Sequence, residues 1–124
     1  MKTVLFLDDD HSRIRKFRSA YPSAKIVETA ADAIFALEHS KYDFVFLDHD
    51  LNEEVYVDSS RDDCGMAVVR WMIKNKPDCE VFVHTCNRAA GDEMDRLLSK
   101  SGYKTNRTLF VRIELDSLFD DLQS

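Results

Sequence analysis

Glycine and proline are scarce, five residues together in a chain of 124. No stretch is rich enough in either to form a linker, and no repeat or low-complexity segment breaks the chain. Cysteine is equally sparse. Cys64, Cys79 and Cys86 lack a Cys-x-x-Cys spacing, and their odd number argues against a disulfide framework. A reduced, cytoplasmic compartment is the expectation that follows. No apolar run reaches the roughly 18 residues of a membrane span, so no membrane partner is expected. The acidic run Asp8–Asp10 interrupts any apolar core of a leader peptide. Positive charge is also in deficit: 17 Lys and Arg face 23 Asp and Glu, a formal net charge of −6. Such a chain has no general affinity for a phosphate backbone, which argues against duplex nucleic acid as a partner. A small phosphate ligand stays open, because a metal ion can stand between it and the carboxylates.

What is present is ordinary globular composition, 44% hydrophobic and 32% charged. The length suits one domain, residues 1–124. The most informative stretch is Phe44–Leu51, Phe-Val-Phe-Leu-Asp-His-Asp-Leu. Its four leading apolar residues read as a strand buried on both faces. Asp48, His49 and Asp50 follow at once. The same design recurs at Val4–Leu7, which runs into Asp8, Asp9 and Asp10, and at Val81–Val83, which runs into His84, Thr85, Cys86 and Asn87.

In chain order, the pattern predicts strands over Thr3–Leu7, Lys25–Val27, Tyr42–Leu47, Glu80–Val83 and Arg107–Val111. Helices are predicted over His11–Tyr21, Thr29–His39, Gly65–Asn75, Arg88–Ser101 and Leu115–Leu122. Ile14, Phe17 and Tyr21 mark the buried stripe of the first helix. Ala30, Ala33, Ile34 and Leu37 mark that of the second. The alternation of strand and helix implies a parallel sheet covered on both sides. Five such units point to an α/β, flavodoxin-like three-layer sandwich with strand order 2-1-3-4-5. That order makes strands one, three and four neighbours, so their polar tips converge. Asn52–Asp63 is long for a strand-to-helix connection. It reads either as a lid or binding loop, or as a solvated acidic insertion.

Asp8, Asp9 and Asp48 bring carboxylates together at one rim. Like charges at close range call for a cation, and hard oxygen ligands suit Mg²⁺ or Mn²⁺. The plainer alternative is acids that cap the first helix and face solvent. His49 and His84 each follow an apolar strand. They are either hydrogen-bonded structural residues or a general acid and base at neutral pH. Asn87 is a natural cap for the fourth helix. Ala89, Ala90 and Gly91 leave its first turn bare, where N–H groups can meet an anion. Thr85 adds a hydroxyl. Simple helix capping accounts for the same residues.

These motifs resemble two related families. In response-regulator receiver domains an acidic pair ends strand one, a phosphorylatable Asp ends strand three, and Ser or Thr ends strand four. Asp8/Asp9, Asp48 and Thr85 match that pattern. The Lys-Pro at the end of strand five does not, since Arg112 followed by Ile113 stands nearest. The closer resemblance is to the cyclic-phosphate processing receiver domain. It rests on Leu7-Asp8-Asp9, Leu47–Leu51, Gly65/Val68/Trp71, and His84-Thr85-x-Asn87 with Gly91 and Met94. Thr85 stands where that family has Ser.

That resemblance implies a metal-dependent phosphoesterase acting on a cyclic phosphate, in a small molecule or an RNA terminus. Asp8, Asp9 and Asp48 would hold Mg²⁺ or Mn²⁺, with Asp50 as ligand or orienter. His49, His84 and Asp48 would be catalytic, and Thr85, Asn87 and Gly91 would hold phosphate. The alternatives are a stand-alone receiver phosphorylated on Asp48, or an idle receiver-like module that binds a protein through residues 52–63.

Overall fold

The computed structural model describes residues 2–51 and 54–110. Five parallel strands form one sheet in the order β2-β1-β3-β4-β5. They are β1 (Val4–Leu7), β2 (Lys25–Val27), β3 (Phe44–Leu47), β4 (Glu80–Val83) and β5 (Thr105–Arg107). Four helices connect them: α1 (His11–Ala20), α2 (Ala30–His39), α3 (Gly65–Asn75) and α4 (Arg88–Lys100). This is the flavodoxin-like order that the sequence predicts. Among the described residues, no helix is long and apolar enough to cross a membrane.

Strand alternation divides the core in two. Leu5, Leu7, Val45, Leu47, Val81 and Val83 face α2, α3 and α4. Val4, Phe6, Phe46 and Phe82 face the other way, against Ile14, Phe17 and Tyr21 from α1 and its end. The second face is aromatic. Phe6 stacks on Phe17 at 4.2 Å between ring centroids, and Phe46 on Phe82 at 4.4 Å.

Local signals set the helix ends. The Asp10 side chain accepts from the Arg13 N–H at 2.9 Å, and Thr29 accepts from the Asp32 N–H at 3.0 Å, two N-caps of the expected kind. Helix α4 gives way to Gly102, whose φ of +101° lies in the left-handed region that glycine tolerates.

Strand five is the main correction to the expected elements. It runs over Thr105–Arg107, earlier than Arg107–Val111, with Val81 opposite Thr105 and Val83 opposite Arg107. Its residues are Thr, Asn and Arg, all half-buried. An edge strand with one partner does not require an apolar run, so hydrophobicity placed it too late. Phe110, expected within that strand, instead packs edge-on against His84 at 5.9 Å. The expected final helix Leu115–Leu122, together with Arg112, lies outside the described residues.

Candidate functional site

The register of the three central strands builds the site. Leu7, Leu47 and Val83 are aligned neighbours across β1, β3 and β4. The ladder continues one step: the Asp48 N–H donates to the Leu7 carbonyl and the His84 N–H to the Leu47 carbonyl. Asp8, Asp48 and His84 are therefore side by side. They lie on the same face as Phe6, Phe46 and Phe82, at the carboxyl edge of the sheet. His84 stacks flat on Phe6, 5.1 Å between ring centroids with 4° between planes.

All three are almost fully buried, Asp8 at 0%, Asp48 at 3% and His84 at 1% exposure. One ligand atom from each lies within 4.8 Å of the others. Buried charge must be paired, and Arg13 supplies the pairing. This arginine, from the first turn of α1, donates through Nε to Asp8 Oδ2 at 2.7 Å and through Nη2 to Asp8 Oδ1 at 3.1 Å. Nη2 also stands 3.5 Å from Asp48 Oδ2. His84 Nε2 meets Asp8 Oδ2 at 2.9 Å. An ionised carboxylate only accepts, so Nε2 carries the shared proton. Nδ1 is buried with no hydrogen-bond partner among the described residues.

The two carboxyls respond in opposite directions. Burial pushes Asp8 up, but the hydrogen bonds from His84 and Arg13 outweigh it and hold the group well below the usual carboxylate range. Asp48 has weaker compensation. Burial dominates and raises it to about 6, with His84 and Arg13 pulling down and Asp8 pushing up.

Above this pair opens a cleft of about 590 Å³. Asp9, Arg13, Asp48, Thr85 and Asn87 line it, with Val55 and Glu54 at the side of the long loop. Asp8 and His84 lie beneath its floor. Thr85 is buried, and its Oγ1 accepts from the Asn87 N–H at 3.1 Å, which leaves its hydroxyl proton free to donate elsewhere.

Other predicted site residues are placed differently. His49 is one step out of phase with His84, so it faces the opposite side of the sheet. Its ring is fully buried. Nδ1 bonds Asp50 Oδ1 at 2.7 Å and Nε2 bonds Ser59 Oγ at 3.1 Å. The Asp50–His49–Ser59 chain has the connectivity of a nucleophilic relay, but it forms a latch on the long loop with no opening to the cleft at the imidazole. The structure thus does not bring His49 and His84 to one phosphoryl group.

Asp50 is a hub of the same latch rather than part of the close ligand group. It also accepts from the Tyr56 N–H at 2.7 Å, the Val57 N–H at 3.1 Å and Asn87 Nδ2 at 3.1 Å. Burial raises its carboxyl, yet the bonds from His49, Asn87 and the two backbone donors outweigh it and lower the group. Residues 54–63 are accordingly held down. Val57 is buried in the core, and Arg70 of α3 donates to the Ser59 and Arg61 carbonyls at 2.6 and 2.8 Å.

Asn87 caps α4 through Oδ1, which accepts from the Ala90 N–H at 3.2 Å, and its carbonyl takes the Gly91 N–H at 2.8 Å. Two donors of that helix end are therefore already used. Gly91 is buried where a Cβ would overlap the Arg107 guanidinium. Its missing side chain makes room for that arginine, which pairs with Asp92 at 3.3 Å. Gly65 matters more. A Cβ there would collide with the Asp48 carbonyl oxygen and lie 2.8 Å from His49 Cα. Only glycine lets α3 start against the end of β3.

Arg13 is the residue that sequence reasoning missed. A signal for it existed: it is five residues beyond Asp8, in the first turn of a helix that starts at the acidic tip.

Solved structures with similar folds are receiver domains. A CheY-like response regulator receiver domain protein from Methanospirillum hungatei matches with a TM-score of 0.72 and 15% identity, covering 99% of this chain and 91% of that one. A two-component response regulator from Clostridium difficile matches at 0.70 and 19%, covering 99% and 93%. A response regulator from Burkholderia pseudomallei, solved with a phosphorylated aspartic acid, a calcium ion and citrate, matches at 0.68 and 15%, covering 100% and 68%. At these identities the likeness shows the fold. No curated protein sequence matches. Residues 3–100 match the family of the cyclic-phosphate processing receiver domain, which is most of the chain. The chain belongs to that family.

Proposed function

We propose that this chain is a phosphoesterase that opens or processes a cyclic phosphate with the help of a divalent cation, Mg²⁺ or Mn²⁺. The observation that carries the reading is the buried Asp8–Asp48–His84 group beneath a cleft walled by Asp9, Arg13, Thr85 and Asn87. The donor set fits a hard divalent ion: Asp8 and Asp48 offer carboxylate oxygens within 4.8 Å of one another, Asp9 stands at the cleft beside them, and His84 orients the Asp8 carboxylate through its Nε2 proton. Bound there, the cation would stabilise negative charge developing on phosphoryl oxygens.

The chain's own residues do the rest. Thr85, with a hydroxyl proton to donate, and Arg13 bind phosphoryl oxygens in the cleft. Asn87 ties the cleft wall to the loop through Asp50. His84 holds a proton on Nε2 against Asp8 and fixes that carboxylate's orientation. In the reaction, water oxygen bonds to phosphorus and one ring P–O bond breaks. The proton lost by the water ends on the leaving oxygen, and the product is a monoester. His49 has no part in this; it holds the loop.

A second reading has an observation of its own. Asp48 ends β3 and reaches the cleft, as the acceptor of a stand-alone receiver would. Against it, no lysine is among the described residues lining the cleft. The residue that ends β5, Arg107, is turned to Asp92 and the Val83 carbonyl.

One screen tests both. Purified protein is incubated with 2′,3′-cyclic and 3′,5′-cyclic phosphates, with and without Mg²⁺ or Mn²⁺, and separately with acetyl phosphate. We expect metal-dependent ring opening that Asp48→Asn abolishes, and no stable phosphoryl adduct by mass. A stoichiometric adduct that Asp48→Asn removes, with no ring opening, favours the receiver instead.

A further inference from the structure

We infer that Arg13 is a tethered competitor for the divalent cation: its guanidinium holds the buried acid pair in the metal-free protein and must swing into the cleft for a metal to bind. The inference rests on the metal-dependent reading above and deepens it, by naming what the cation has to displace.

Every lone pair of Asp8 that a metal would use is already engaged. Oδ2 accepts from Arg13 Nε at 2.7 Å and from His84 Nε2 at 2.9 Å. Oδ1 accepts from Arg13 Nη2 at 3.1 Å and from the Asp10 N–H at 2.9 Å. Asp48 Oδ1 takes the His49 N–H at 2.9 Å, and its remaining oxygen faces Arg13 at 3.5 Å. Of these donors, the two backbone N–H groups and the stacked, buried His84 are fixed by the fold. Arg13 is the one that can leave. It stands at the end of a long side chain that is 30% exposed, and it lines the open cleft. Its backbone stays in place, because its own N–H is tied to the Asp10 cap.

The exchange is chemically sensible in both directions. Without metal, two buried carboxylates within a few ångströms would repel, and a planar guanidinium paired with Asp8 and close to Asp48 offsets one of the two charges. With metal, the divalent ion brings twice the charge, and the released guanidinium regains its hydration. The consequence is a site whose apparent metal affinity is lower than its ligands alone would give, because each binding event breaks a charge-assisted bidentate pair.

The test is Mn²⁺ titration by calorimetry into the full chain as wild type, Arg13→Gln and Arg13→Lys, with melting temperatures at each end point. We expect Arg13→Gln to bind Mn²⁺ about tenfold more tightly than wild type, the factor set by losing a competing bond of about 1.4 kcal/mol. Its metal-free form should melt lower, and its rise on metal addition should be larger. Arg13→Lys should bind with an affinity between the other two. Equal or weaker Mn²⁺ binding by Arg13→Gln overturns the inference, as does absence of binding in all three. If Arg13→Gln folds only when Mn²⁺ is added, that rescue supports it. If Arg13→Gln does not fold even then, Arg13→Lys decides: tighter binding than wild type supports the inference, and unchanged binding overturns it. The two readings fail separately. Ring opening by a wild type whose Arg13→Gln variant binds no tighter defeats only the competition. Tighter binding by Arg13→Gln, with no ring opening by wild type, defeats only the phosphoesterase.

Discussion

The two faces of the sheet's carboxyl edge carry similar residues to different ends. On the α1 side, Asp8, Asp48 and His84 form a charge-linked group under a cleft, with an exposed-side arginine as counter-ion. On the α3 side, His49, Asp50 and Ser59 form a closed chain that pins a loop. Each face has one histidine and a carboxylate at hydrogen-bond distance. The difference is what surrounds them. His84 keeps a ring nitrogen without a partner among the described residues and sits among carboxylates whose charges are unequally balanced. His49 has both nitrogens used and is wholly enclosed. A histidine at a strand end is thus assigned a role by which face it occupies, not by its place in the motif.

The largest expected effect separates the two histidines directly. His84→Ala should lower ring-opening turnover by roughly 10–100-fold, the usual cost of losing a group that orients a metal-binding carboxylate, while the chain stays folded by circular dichroism. His49→Ala should do the reverse. It should cost about 2–3 kcal/mol in urea unfolding, because it leaves a buried polar site unpaired, and speed hydrogen exchange at the Tyr56 and Val57 amides. Equal turnover losses in two folded variants would erase the distinction drawn here.

Gly65→Ala attacks the point where both faces meet. Its Cβ collides with the backbone of Asp48, which cannot move without displacing the site. A loss of roughly 1–3 kcal/mol is expected, as for other overpacked positions, with turnover falling in parallel. A variant as stable and active as wild type would show that α3 can shift freely.

The acid pair sharpens the comparison through pH. Asp48 is raised to about 6 in the fold, above an unfolded value near 3.9. Protonated Asp48 therefore favours the folded state. Its contribution is fully present below about pH 4 and is lost as pH rises through 6. Asp8 is lowered, so its contribution is present above the unfolded value and is lost as pH falls through its depressed folded value. In metal-free protein, Asp48→Asn should remove the decline between pH 4 and 7 and raise stability at pH 8 by about 1–2 kcal/mol, measured by denaturant titration at each pH. An unchanged profile would mean that Arg13 neutralises Asp48 fully.

The smallest effect belongs to Gly91→Ala. The atom it displaces is the far end of the flexible Arg107 side chain, so a change below about 1 kcal/mol is expected. A loss of phosphate affinity without a loss of stability would return Gly91 to the phosphate site.

Strand order, most helices and the convergence of three polar tips were legible in the sequence. Apolar runs, caps and alternation of elements are local signals, and right-handed crossovers leave few ways to arrange five units. Asp8, Asp48, His84 and Thr85 follow from that reading because each ends or follows an apolar strand. Tertiary structure decided the rest. Which face His49 and His84 take depends on register between strands some 35 residues apart, and one step in phase reverses a side chain. The polar edge strand Thr105–Arg107 has no apolar pattern to announce it. Arg13 reaches Asp48 only because α1 folds back across β1 and β3. The order of the elements is written in short-range patterns; the pairing of charges at the site comes from residues that only the packed sheet makes neighbours.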